Sequence, residues 1–304
     1  MKVAIGFIAF LFTVLPLYVM ANPGTEIVDA DSSGYEHQLD EGIDAFYQSD
    51  WEKAYTIFQR LQQAYPQDAR AYFFDAMIPF WQYYFGGKEP AAARSFIERS
   101  DKALTVSHDA LEANPSDTTI VLMLSGLYGY QSLVMAAEKD YRRALQSGII
   151  GFKYTRQLLK LDANGPKALI GKGIFYYMTG SVPDQLKWLT NFAGLPGDME
   201  EGFQALEQAA ASDSYVSNDA KIILSYLYER EGMNKPALKH LRDLSAKYPK
   251  NIIFQFNTGR MYEKCGDLSR AKKRYKLVSS MEGHRLTSLR TESADRLERL
   301  SVEK

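Results

Sequence analysis

The residues of this chain able to carry chemistry are few and badly placed for catalysis. His37, His108, His240 and His284 stand far apart, with no His-x-x-x-His pair to hold a metal and no Gly-x-Ser-x-Gly turn to present a nucleophilic serine. Cys265 is the only cysteine, so the chain has no internal disulfide; it precedes Gly266 in an expected turn and reads as a small turn residue. Glu138 with Asp140, and Glu200 with Glu201, are close in sequence but point apart on a helix, which reads as solvated charge. Gly171-x-Gly173 lies within a helix-periodic stretch rather than after a strand, a packing feature and not a nucleotide loop. One string is metal-like: Asp29, Asp31, Ser33, Gly34 and Asp40 match the first, third, fifth, sixth and twelfth places of a calcium loop. Its eighth place is Glu36 where an aliphatic is needed, its last is Asp rather than Glu, and no helix precedes it. The sequence therefore assigns no catalytic residue, no cofactor and no metal, and points to binding.

The elements that would carry binding are read from a repeat. Ala237 and Ala271 lie 34 residues apart in the same frame: a helix with Ser225 and Tyr228, then Gly259 and Tyr262, a turn, and an alanine followed four residues on by Leu241 or Tyr275. An earlier copy reads Gly42, Ala54, Phe58, Leu61 and Pro66. Small residues at the eighth and twentieth places let two antiparallel helices cross closely, and a proline near the end of the unit stops the second helix. A single pair cannot bury its apolar stripe, so the pairs must stack. These positions resemble the tetratricopeptide repeat, which implies an all-α solenoid. Six units are expected, over 35–68, 69–117, 118–165, 166–217, 218–251 and 252–285, with a C-terminal capping helix at 286–304. The second and third units are expected to carry a longer join between their helices, and the fourth an insertion from Thr179 to Asp198.

Composition and the N-terminus bound the setting. At 304 residues, 46% hydrophobic and 24% charged, the chain can hold a continuous core without metal or disulfide. A net charge of −1 argues against nucleic acid as a main partner or an acidic membrane surface. Lys272, Lys273, Arg274 and Lys276, the nearest approach to a basic patch, read as a solvated helix face. Met1 and Lys2 lead into an apolar run from Val3 to Met20, with Val19 and Ala21 at the small-residue places of a cleavage site. A signal peptide over 1–21, a flexible leader over 22–34 and a periplasmic or outer-envelope location are expected, with an uncleaved N-terminal anchor as the alternative.

The stretch Gly171 to Leu206 carries a sharper likeness. Gly171, Gly173, Phe175, Ser181, Pro183, Leu189, Gly194, Gly197, Asp198 and Gly202 resemble the tetratricopeptide-39 and mitochondrial outer-membrane inclusion-clearance family, in which a Gly-x-Gly-x-Phe helix meets a Pro-containing link and then Gly-x-x-Gly-Asp. The resemblance implies a non-enzymatic scaffold with an inserted segment. Within that insert Pro183, Leu186, Trp188, Leu189 and Phe192 form a short amphipathic piece, either a lid over a binding surface or a filler of the groove.

The repeat register predicts a concave groove whose early part is aromatic, with Phe46, Tyr47, Phe73, Met77, Phe80, Trp81, Tyr84, Tyr130 and Tyr177, and whose late part is polar, with Tyr226, Arg230, Arg260 and Lys264. Rigid aromatics would anchor a partner well, or they belong to an additional core. The expected function is an exported scaffold that binds an envelope protein or peptide. The alternative is a carrier of a lipid or other apolar small molecule in the aromatic groove. The oligomeric state is not fixed by the sequence.

Overall fold

A computed structural model describes residues 30–181, 197–214, 216–282 and 286–302. Among them lie thirteen α-helices and no strand: α1 (Ala30–Tyr47), α2 (Trp51–Ala64), α3 (Ala69–Phe85), α4 (Pro90–Ala113), α5 (Thr118–Ala137), α6 (Tyr141–Leu161), α7 (Pro166–Gly180), α8 (Met199–Ala211), α9 (Ser217–Arg230), α10 (Asn234–Lys247), α11 (Ile252–Lys264), α12 (Leu268–Ser279) and α13 (Thr287–Val302). The fold is all-α and of tetratricopeptide type. The described residues divide into two compact units, 30–103 with 225–302 and 104–224, the divisions falling within α4 and α9. In the first unit α1 packs on α2 and α3, and α2 on α3; α11 packs on α10, α12 and α13, and α12 on α13. In the second, α5 packs on α6 and α7, α6 on α7, and α7 on α8. α1, α5 and α11 thus each touch their own partner and the next first helix, which is how helical hairpins stack to share one core.

Local chemistry sets these helices. Aspartates or asparagine at 50, 68, 117, 140, 198, 251 and 267 cap seven of them, each side chain accepting a hydrogen bond from an amide two or three residues on. The tight hairpin turns share one geometry. Ser49, Lys139, Gly232 and Gly266 all take positive φ, and the next amide reaches back five residues, as from Asp50 to the Ala45 carbonyl at 2.9 Å and from Asp267 to that of Tyr262 at 2.9 Å. Glycine enters the left-handed region without strain, while Ser49 and Lys139 adopt it because the turn demands it.

Two expectations change. The additional residues of the second and third units lengthen helices instead of joins: α3 and α4 are separated by only four residues, α5 and α6 by three, and α4, α5 and α6 run to 24, 20 and 21 residues. Apolar and small side chains continue at helical spacing through those stretches, so winding on keeps every amide bonded. The leader also ends earlier than expected, since α1 begins at Ala30 and carries Gly34 and Asp40 in helical backbone. The calcium-like string lacks the turn at Gly34 that such a loop requires. α5 is long and apolar enough to cross a bilayer, with a mean hydropathy of 1.5, but 78% of that window is buried against the protein.

Close crossings hold the pairs together. In α7 and α8 a β-carbon at Gly202 would stand 2.6 Å from the Tyr177 amide nitrogen and 2.8 Å from the Gly173 carbonyl oxygen, so the two backbones are in contact there. At the end of the chain one carboxylate joins three helices: Glu263 of α11 accepts from Tyr275 of α12 at 2.5 Å and from Arg296 and Arg299 of α13 at 2.9 Å each. Burial pushes the Glu263 carboxyl up, but these donors and the two guanidinium charges outweigh it and leave it below its ordinary range.

Two glycines of this region separate the effects by sign. Gly202→Ala forces backbone against backbone and is expected to lower stability by about 1–3 kcal/mol. Gly171→Ala meets only Thr155 and Leu158 side chains at 3.4 and 3.7 Å and is expected to raise it by about 0.5–1 kcal/mol through helix propensity. Thermal or denaturant unfolding of the two variants checks the pair.

Candidate functional site

The aromatic residues expected to line a groove are packed inside the protein. Phe46, Tyr47, Phe73 and Met77 have no exposed surface, and Phe80 and Trp81 have 1%. In the first unit the covering comes from far along the chain. Tyr47, at the end of α1, stacks on Tyr248 with ring centres 5.1 Å apart, and Trp81 of α3 meets Phe254 of α11 edge-on at 5.9 Å. Phe46 fills the space beneath, 5.0 Å from Trp81 and 5.8 Å from Phe74. The Asn251 side-chain amide donates to the Tyr47 carbonyl at 2.7 Å, and the Lys250 amide donates to the Gln48 side chain at 3.3 Å. A groove position facing another hairpin becomes core, because aromatic burial is the largest gain available to it.

The remaining groove positions scatter. Tyr84 and Tyr226 are half-buried and hydrogen-bonded to each other; burial pushes the Tyr84 hydroxyl up, against the opposing effect of that bond. Tyr130 and Tyr177 are buried in the second unit, where desolvation and the Asp219 carboxylate push the Tyr130 hydroxyl far up and Tyr177 meets Phe203 edge-on at 5.4 Å. Arg260 and Lys264 both pair with Glu229, at 2.5 and 2.7 Å, and Arg230 lies 3.8 Å from Glu231. Pro183, Leu186, Trp188, Leu189 and Phe192 lie outside the described residues. The described histidines are not brought together either, and His284 lies outside the described residues. His108 is held between the Tyr128 and Tyr154 hydroxyls at 2.9 and 3.3 Å, His240 is buried and stacked on Tyr228, and His37 is exposed on α1. No group of His, Cys, Asp or Glu among the described residues has metal-binding geometry.

The joining of these hairpins creates a cleft that the repeat pattern does not announce. It encloses about 540 Å³ between the α1–α2 turn (Gln48, Ser49, Asp50, Trp51, Glu52), the α10–α11 turn (Pro249, Lys250) and the residues around the end of α12 (Leu277, Met281, Glu282). Trp51, Leu277 and Met281 make its apolar wall; Asp50, Glu52 and Glu282 against Lys250 make its rim acidic. Ser49 and Trp51, 6% exposed each, contribute to the wall, and the Ser49 hydroxyl and Trp51 indole nitrogen are buried without a hydrogen-bond partner. An orphaned buried donor costs roughly 1–3 kcal/mol. The only sequence signal here was a tryptophan directly after a helix-capping aspartate.

If Trp81 and Asn251 hold this junction, Trp81→Ala loses about 3–5 kcal/mol of stability, and Asn251→Ala about 1–3 kcal/mol by stranding the Tyr47 carbonyl. Lys264→Ala, removing a partly exposed pair, costs less than about 1 kcal/mol. Circular dichroism melting of the three variants distinguishes core from surface.

A model of the Iml2/tetratricopeptide repeat protein 39 family matches residues 167–287. No curated protein matches the chain's sequence. Among solved structures it is similar to a thermophilic tetratricopeptide repeat protein of Thermus thermophilus, with 15% identity, 75% of this chain and 98% of that one covered, and a TM-score of 0.44. A tetratricopeptide repeat protein from Parabacteroides merdae is similar over 88% of this chain and 89% of its own at 16% identity, with a TM-score of 0.36. The chain is a tetratricopeptide-type protein, and over 167–287 it is similar to the Iml2/tetratricopeptide repeat protein 39 family.

Proposed function

We propose that the protein is an exported, non-enzymatic scaffold that holds an extended segment of a partner protein in the cleft beside Ser49 and Trp51. The tetratricopeptide-type fold suggests protein partners in general. The observation that carries the narrower reading is the cleft itself, with an apolar wall and an acidic rim. Apolar side chains of the segment would rest on Trp51, Leu277 and Met281, and a basic residue would face Asp50 or Glu282. Tyr47 and Trp81, two of the aromatic positions on which a lipid-carrier reading relied, are covered by Tyr248 and Phe254.

A photoreactive residue in place of Met281 is expected to form a covalent adduct with a defined envelope protein, and the same residue at exposed Glu298 on α13 is not. Glu282→Lys, which reverses a charge on the acidic rim, reduces the adduct at Met281. Equal labelling at both positions, or none at Met281, contradicts the reading. Export rests on Met1, Lys2, the apolar run Val3 to Met20 and the small residues Val19 and Ala21. Mass spectrometry of the envelope fraction is expected to find Asn22 as the first residue; a retained Met1 supports anchoring by an uncleaved helix.

A further inference from the structure

The second unit displays a helix whose large apolar residues face outward. α6 packs inward through small residues: Ala144, Ser147 and Gly151 are buried, and Leu158 is its one large buried side chain. A β-carbon at Gly151 would stand 3.1 Å from the Ser125 carbonyl oxygen and 3.2 Å from the Gly129 amide nitrogen, so α5 and α6 nearly touch. Hydrogen bonds complete that seam, from Ser132 to the Ala144 carbonyl at 2.7 Å and from Ser125 to that of Gly151 at 3.2 Å. With the core side filled this way, Tyr141, Leu145 and Ile149 stand in solvent at 50, 51 and 61% exposure, one turn apart along a single stripe. Half of the exposed large hydrophobic residues described in this protein lie on α6, Leu161 being the fourth.

The charges that α6 itself carries are of one sign. α6 carries Arg142, Arg143, Lys153, Arg156 and Lys160 and no acidic residue, in a chain whose net charge is −1. All five are exposed. Helical spacing of about 100° per residue puts Arg142, Lys153, Arg156 and Lys160 within about a quarter-turn of Leu145 and Ile149 on the outward face. Arg143 points away from that face, and its ion pair with Asp140, at 3.8 Å, is long. Alternation of bulky apolar and cationic side chains on one exposed helical face suits the boundary of a lipid bilayer. There the apolar groups enter the acyl region and the guanidinium and ammonium groups meet headgroup phosphates. A protein partner would demand a shaped surface, and a nucleic acid would leave the apolar stripe without a role.

We infer that the outward face of α6 is a docking surface for an anionic phospholipid membrane, with Tyr141, Leu145 and Ile149 entering the interface and Arg142, Lys153, Arg156 and Lys160 on the headgroups. The surface is separate from the Trp51 cleft and does not depend on it. Its test is flotation of the purified full chain with vesicles of phosphatidylglycerol and phosphatidylcholine against vesicles of phosphatidylcholine alone. The wild type floats with the anionic vesicles only. Arg142→Glu with Arg156→Glu lowers that affinity by about tenfold or more, and Leu145→Ser with Ile149→Ser also weakens it, while both double variants keep the wild-type melting temperature, as surface substitutions should. The inference fails if the wild type ignores anionic vesicles or if the double variants bind as the wild type does. It also fails if sedimentation finds a dimer that Leu145→Ser with Ile149→Ser splits, which would make the face an interface between copies of the chain. Binding of anionic vesicles that is unchanged by the serine pair but abolished by the glutamate pair reduces the surface to a general polyanion patch and overturns the membrane assignment.

Discussion

The stack of Tyr47 on Tyr248, with the Asn251 side chain donating to the Tyr47 carbonyl, is the contact on which the first unit depends. Its partners are about two hundred residues apart, so it closes a very long loop. Lengthening a loop adds to its closure entropy only logarithmically, and two stacked, fully desolvated aromatic rings with Trp81 and Phe254 beside them offset that cost through burial. The same contact makes Phe46 and Trp81 core side chains in place of groove side chains. It also brings the α1–α2 and α10–α11 turns beside each other.

The cleft follows from that proximity. The α1–α2 turn is fixed by its left-handed Ser49 and capping Asp50 and the α10–α11 turn by capping Asn251, so the two turns are rigid pieces brought edge to edge. Rigid edges do not fill the space between them, and Ser49 and Trp51 at the wall are left with donors that no neighbour satisfies. Function, on this account, is lodged where stacked repeats meet out of sequence order, while the inner helix faces serve stability. The second unit divides labour differently. There α6 uses alanine, serine and glycine to sit close to α5, and its bulky residues are released to the outside.

Much of the fold was legible because its rules are local. The frame of Gly259, Ala271 and Tyr275 follows from the steric limit at a helix crossing, and the structure places the Tyr275 ring 3.0 Å from where a β-carbon of Gly259 would be. The lengths of α4, α5 and α6 were misread because a 34-residue frame treats surplus residues as loop, although nothing in their pattern breaks a helix. The groove was misread for a different reason. Periodicity tells which face of a helix is apolar but not which other helix covers it, and Tyr248 and Phe254 are ordinary positions within their own repeats. The basic surface was sought in the contiguous cluster from Lys272 to Lys276, where Arg274 is in fact bound to Gln255. On α6 the basic residues are interleaved with leucine and isoleucine, and such a sequence looks like any core-facing helix until the opposite face proves to be the buried one.

The central claim is that α1 to α3 and α10 to α11 fold as one cooperative body through the tyrosine stack. Native-state hydrogen exchange of Tyr248→Ala, read by mass spectrometry against the wild type, tests it most directly. The account predicts that amides of α1 and α3, some two hundred residues from the substitution, lose protection together with those of α10 and α11. Loss of protection confined to α10 and α11, with α1 and α3 exchanging as in the wild type, would contradict it.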